Sequence, residues 1–134
     1  MEKSLDGFRL WLEAGRIIVN GIEFVLPLRA RKDTLVMADV AKIESSISKD
    51  HNFYVGPGGR GAAIGGRYEG FQEFLKKGTP IEVPEMGVWH GDAFFTNGRH
   101  RFAVLRDMGF DRIPVAVARG QAATFKRRFG ADQS

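Results

Sequence analysis

Seven of the fifteen residues from Gly56 to Gly70 are glycine. No packed helix or strand tolerates that density, because glycine loses the most backbone entropy on ordering and offers no side chain to bury. The segment 56–68 is therefore expected to be a loop, and the core must come from the short apolar segments on either side. With 134 residues the chain has room for one core, not two. Its 43% apolar and 27% charged residues are ordinary for a globular domain and exclude disordered and fibrous classes. The apolar runs, such as Ile17–Val19 and Phe24–Leu28, are too short to span a membrane. The first fifteen residues contain Asp6 and Glu13 and no secretory pattern, so a cytoplasmic location is expected.

On the N-terminal side, Leu5, Phe8 and Leu12 recur at helical spacing and Gly15 can stop the helix. Trp11 is expected to cover the core from it. Asn20-Gly21 then separates two apolar runs, the strongest short hairpin signal. Pro27 ends the second strand or confines it to an edge. Leu28–Asp33 reads as a basic loop, and Asp39 as the cap of a helix whose Val40, Ile43 and Ile47 share a face.

On the C-terminal side, Tyr68–Lys77 reads as a helix stopped by Gly78, and Thr79–Pro84 as a short strand. Met86–His90 and Ala93–Thr96 form a second hairpin, turning at Gly91-Asp92. A helix follows from Arg99 to Met108, then a strand from Ile113 to Ala118. Residues 120–134 read as a short basic helix or a frayed end. There is no internal repeat or domain boundary. The expectation is one α+β domain over 1–134, a mixed sheet with helices packed on it, the glycine loop lying over the site.

The chain has no cysteine, which removes disulfides, thiolate catalysis and cysteine-bound zinc. Net charge is 20 − 16 = +4, unevenly placed. Residues 1–98 hold 12 basic and 13 acidic side chains, and residues 99–134 hold 8 and 3. The excess begins at Arg99, within Phe94-Phe-Thr-Asn97-Gly98-Arg99-His100-Arg101. An apolar strand ends there, Asn97-Gly98 turns, and a helix opens on cationic side chains. The first amides of a helix lack internal partners and carry partial positive charge, so cations there are unfavourable unless an anion faces them. Phosphate would relieve both costs, with guanidinium forks gripping its oxygens. A solvated surface, with Arg101 paired to a nearby carboxylate, is the bland alternative.

The stretch Thr96-Asn-Gly-Arg-His-Arg-Phe-Ala-Val-Leu-Arg-Asp-Met-Gly, followed by Ile113-Pro-Val, resembles the signature of the ParB/sulfiredoxin superfamily. Val25-Leu-Pro-Leu-Arg29 with the helix Val40–Ser48, and Pro80-Ile-Glu-Val, are similar to its other elements. The resemblance implies a nucleotide or phosphate site in which Gly98, His100 and Arg101 cradle phosphates and Arg29, with Arg31, approaches them. Sulfiredoxins carry cysteine where this chain has Arg99, so their repair chemistry is not expected. ParB-type CTPases carry Glu-Arg-Arg where this chain has Arg99-His100-Arg101, and a second ParB arginine box is not found. The family's helix-turn-helix half is also lacking, and residues 56–70 are an insertion. ParB-like domains also serve as effectors, so the toxic C-terminal domain of a contact-dependent bacterial toxin is one expected setting, with an immunity protein as partner.

Gly56-Pro-Gly58-Gly-Arg-Gly61 matches a dinucleotide fingerprint literally, but Gly65-Gly66 breaks the helix that fingerprint needs. Arg67-Tyr68 replaces the Lys-Ser/Thr of a phosphate loop. The segment reads better as a lid delivering Arg60 or Arg67 to a ligand, with Arg67 and Tyr68 as a second cationic helix start. The histidines, His51, His90 and His100, are too scattered for zinc. His90 with Asp92 is a candidate general-base pair, and His100 a better one because it lies in the anion-binding turn. Glu82 and Glu85 are candidate acids or metal ligands. Trp89, Phe94 and Phe95 read as core, with base stacking as the alternative.

The expected activity is phosphoryl or phosphodiester chemistry, as an NTPase, kinase or nuclease-like enzyme. Arg99 and Arg101 stabilise charge, His100 is acid or base, and Asn97, Gly98, Arg29, Arg67 and Tyr68 bind phosphate. ATP or CTP with Mg2+ would suit that chemistry, although no carboxylate cluster marks a metal. The rival expectation is a non-catalytic nucleic-acid-binding or regulatory module of phage or plasmid origin, held through phosphates alone.

Overall fold

The structure, a computed structural model, describes residues 16–47 and 67–131. The expected N-terminal helix, His51, Arg60 and the glycine loop up to Gly66 lie outside the described residues. The rest is α+β, as the pattern predicts. Strands β1 (Arg16–Val19) and β2 (Ile22–Val25) precede β3 (Thr34–Asp39) and helix α1 (Val40–Ile47). Helix α2 (Arg67–Leu75) leads to β4 (Ile81–Glu82), β5 (Glu85–Trp89) and β6 (Asp92–Asn97). Helix α3 (Arg99–Asp107), β7 (Arg112–Val117) and α4 (Arg119–Phe129) follow. The strands form two mixed sheets, ordered β1-β2-β4 and β3-β7-β5-β6. No helix among the described residues is long and apolar enough to cross a membrane.

Local chemistry explains most elements. Asn20 and Gly21 both take positive φ, so β1 and β2 close on the two-residue turn the sequence predicts. The middle strand β2 ends at Val25, before Pro27. Asp39 caps α1: its Oδ1 accepts from the Lys42 amide at 3.0 Å, satisfying one orphan donor of the first turn. At the other end of the chain, α3 stops on Gly109. The amides of Gly109 and Phe110 return to the carbonyls of Arg106 and Leu105, and Phe110 is buried behind them.

Three expectations need correction. Thr34–Asp39 is a strand, where the sequence reading has only a basic loop followed by a helix cap. It pairs antiparallel with β7 along its whole length, from Thr34↔Val117 to Asp39↔Arg112. Second, the β5–β6 hairpin turns at His90-Gly91, both with positive φ, and Asp92 is the first residue of β6, opposite Trp89. That register exposes Trp89 rather than burying it, while Phe95 is core as expected. Third, the frayed-end alternative for residues 120–134 fails over the described part. Phe125 and Phe129, one turn apart, bury α4 against the sheet, and Gly130 bridges to Ala38.

One core serves both sheets. Phe24, Ile81 and Val83 from the first side join Phe102, Leu105, Ile113, Val115, Val117 and Phe125, all almost wholly buried. Each such side chain contributes about 1.5–3 kcal/mol. The two sheets are joined by one run of chain. Residues 81–82 pair with β2, the Val83 amide still reaches the Val25 carbonyl, and from Glu85 the chain pairs with β7. The corner at Val83-Pro84 is where the start of α3 packs.

Candidate functional site

Gly98 precedes α3 with φ +88, and its carbonyl accepts the Phe102 amide at 3.0 Å. A Cβ here would fall 2.9 Å from Pro84 Cα and 2.8 Å from Arg101 Nη1. Glycine is therefore required twice, for the left-handed backbone and for close approach to the corner. Asn97, exposed, ends β6 opposite Glu85. The register slips between Glu85 and Met86, so that Thr96 is the extra residue of a bulge, and its hydroxyl donates to the Glu85 carbonyl at 3.1 Å.

The first turn of α3 has no acidic residue. Arg99, His100 and Arg101 are each half-buried, not splayed into solvent. Arg101 crosses to the corner, where Nη1 donates to the carbonyls of Glu82 (3.1 Å) and Val83 (3.3 Å). Burial pulls its pKa below the ordinary range. The Glu82 carboxylate opposes that shift, nearby Arg29 adds to it, and Glu85 opposes it again. The remaining guanidinium nitrogens, Nε and Nη2, bond no described residue.

Arg29, on a single 3₁₀ turn at Leu28–Ala30, comes to the same corner from the other sheet. Its Nε and Nη2 donate to Glu85 Oε2 at 3.0 and 2.7 Å, and Nη2 to Glu82 Oε1 at 3.2 Å. The hydrogen bond to Glu85 raises the Arg29 pKa most. The Asp33 carboxyl is also pushed up, first by burial and then by the Glu85 charge. Two guanidiniums and three carboxylates thus gather where the sheets meet.

The structure therefore brings Asn97, Gly98, Arg101 and Arg29 together and adds Glu82 and Glu85 to them. The carboxylates already answer part of the positive charge that a sequence reading leaves unmet. Arg67 and Tyr68 open a different helix, α2. It packs on α3 through Phe71 and Leu75 against Ala103 and Val104, and the Arg67 and Tyr68 side chains lie outside the described residues. Arg31 is exposed just beyond the 3₁₀ turn. No hydrogen bond joins His90 to Asp92. The Asp92 carboxylate instead lies 3.4 Å from the Ser46 hydroxyl, and the His90 ring stands edge-on to Trp89. Among the described residues no three His, Asp or Glu side chains could hold a metal ion.

Two contributors were not legible beforehand. Asp33 has no motif to mark it. Gln121 lies remote from the corner on α4, yet its amide bonds both backbone groups of Val88 (Oε1 from the amide at 3.0 Å, Nε2 to the carbonyl at 3.3 Å). It completes β5 where that strand has left β7 behind. Gly87 makes this possible, since a Cβ there would lie 2.6 Å from the Phe94 ring and 2.7 Å from Gln121 Oε1.

No family model and no curated protein matches the chain. A solved structure does: the oncogenic suppression activity protein, described as a plasmid fertility inhibition factor and determined as a gold(I) cyanide derivative. The two superpose with a TM-score of 0.63 over 87% of this chain and 69% of the other, at 14% sequence identity. At that identity the likeness is one of fold.

Proposed function

We propose that this chain is a phosphate-binding enzyme of ParB/sulfiredoxin-like type. It would act on a nucleotide or a phosphodiester at the corner between the two sheets. One observation carries the reading: Arg29 and Arg101, from separate segments, converge on the first turn of a helix that has cations and no acid there. Such a turn offers a favourable dipole and guanidinium forks to a phosphate. In this reading Asn97, Gly98 and Arg99 hold phosphate oxygens, and His100 donates or accepts the proton of the reacting group. Arg101 fixes the corner through Nη1 and offers Nε and Nη2 to the ligand. Arg29 exchanges a carboxylate for a phosphate oxygen when the ligand enters. ATP or CTP, with Mg2+ carried in by its phosphates, would suit this site.

The resemblance to ParB-like effectors, and the fold likeness to a plasmid fertility inhibition factor, are consistent with a role in plasmid or contact-dependent competition. An immunity protein would be the partner in the second case. The test is a thermal-shift panel of ATP, ADP, CTP, GTP and NAD, with and without Mg2+. A ligand at a hundred times its Kd stabilises the native state by about 2.7 kcal/mol. We expect a raised midpoint for the wild type, a smaller one for Arg99→Ala and His100→Ala, and a larger one for Glu85→Gln, which removes the charge that holds Arg29 most strongly. No shift in the wild type, or equal shifts in all variants, would refute the site.

A further inference from the structure

Trp89 is 68% exposed, while the core phenylalanines Phe24, Phe95, Phe102, Phe110, Phe125 and Phe129 are 0–8% exposed. The β5–β6 register dictates this: Met86 and Val88 lie opposite Phe95 and Ala93, whereas Trp89 lies opposite Asp92 at the end of the ladder. Its backbone leads into the His90-Gly91 turn, held by two positive φ values, and the His90 ring braces it edge-on at 4.5 Å. The indole is thus a large apolar plate on a stiff support, facing water.

The last turn of α4 lies against the same turn. Arg128 Nη1 is 3.5 Å from the Gly91 carbonyl, and its guanidinium would touch a Cβ at Gly91. Lys126 and Arg127 stand beside it, all three exposed, and α4 contains no acidic residue. One cation would suffice to complement the helix dipole. The nearest acid on the tip, Asp92, lies within hydrogen-bond reach of the Ser46 hydroxyl on α1.

We propose that the β5–β6 tip and the last turn of α4 form a binding surface for single-stranded nucleic acid. Trp89 stacks on an unpaired base, and Arg127 and Arg128 contact the flanking phosphates. A base plane with a phosphate on each side presents the pairing this surface complements, an apolar face bordered by negative charge. Duplex bases are already stacked and cannot reach Trp89. The surface is separate from the Gly98 turn and does not depend on it.

The experiment measures anisotropy of labelled oligothymidylate and oligouridylate of about 12 nucleotides, and of a duplex of equal length, across a salt series. Both single strands should bind more tightly than the duplex. Trp89→Ala should weaken single-strand binding about tenfold or more, with Trp89→Phe retaining most of it. Arg127→Ala should reduce the salt slope of log K by about 0.7, the contribution of one phosphate on a single strand. The nucleotide-induced thermal shift of Trp89→Ala should match that of the wild type. The proposal fails if the wild type does not bind either strand at low salt, or if Trp89→Ala and Arg127→Ala bind as the wild type does. It also fails if the duplex binds as tightly as the single strands. Loss of oligonucleotide binding in Arg99→Ala, with Trp89→Ala unaffected, would assign the binding to the helix start instead.

Discussion

Replacing Gly98 with alanine should show how closely the helix start is fitted to the corner. Two costs add. Alanine at φ +88 sits in the left-handed region, which costs an L residue about 1–2 kcal/mol. The new Cβ then meets Pro84 Cα at 2.9 Å, and that backbone atom cannot swing aside as the Arg101 tip can. Overpacking of this kind costs about 1–3 kcal/mol. The sum is about 2–5 kcal/mol, a large part of a small domain's stability. Gly21 is the internal control, because it has φ +80 with open space where its Cβ would go. Gly21→Ala should therefore cost only the backbone share, about 1–2 kcal/mol. Urea unfolding followed by far-ultraviolet circular dichroism measures both, provided the slope m is unchanged. If the two substitutions cost the same, contact with the corner is not what demands glycine at 98, and the tight packing argued for the site is wrong.

Other outcomes follow from individual contacts. Gly87→Ala should cost about 2–4 kcal/mol by displacing the Phe94 ring and the Gln121 amide. In a double-mutant cycle with Gln121→Ala it should cost about 1 kcal/mol less, because the shared contact is already gone. Asp39→Ala should lower stability by about 1 kcal/mol through loss of the α1 cap, as read by chemical denaturation. The Glu44 carboxyl is held above its ordinary pKa, mainly by burial and against the pull of Arg106, and its Oε1 lacks a hydrogen bond. The folded state therefore favours the protonated form, so this group's contribution is fully present below its unfolded pKa. It is lost as pH rises through the folded value. Glu44→Gln should gain stability relative to the wild type as pH rises above the unfolded pKa of the carboxyl, and a difference independent of pH would refute that.

What could be read in advance was what local chemistry fixes. Asn20-Gly21, the Asp39 cap and the Gly109 stop each depend on a few neighbouring residues and appear as expected. The strand Thr34–Asp39 carries no alternation in its sequence because Leu35 and Val36, adjacent and therefore on opposite faces, are both buried, which erases the signal of a half-buried strand. The environment of Trp89 depends on one residue of turn position. His90-Gly91 and Gly91-Asp92 both suit a two-residue turn, and reading the second sets Trp89 opposite Phe94 instead of Asp92. At the site both the cations and the candidate acids Glu82 and Glu85 are legible, but the pairing between them is not. Glu82 and Glu85 reach Arg29 across more than fifty residues of sequence, and no local pattern encodes that pairing.

The run from Ile81 to Trp89 belongs to both sheets, and this bears on how the protein comes to be folded. Phe24 must wait for Ile81, and Thr34 for Val117, before either ladder closes. Apart from the two hairpins, sheet pairing joins segments far apart in the chain, which makes for slow folding. Completion of the two sheets is coupled, since one continuous run of chain supplies β4 to the first and β5 to the second. Melting should accordingly be a single cooperative event for the described body, with hydrogen-exchange protection lost together from β2 and β7.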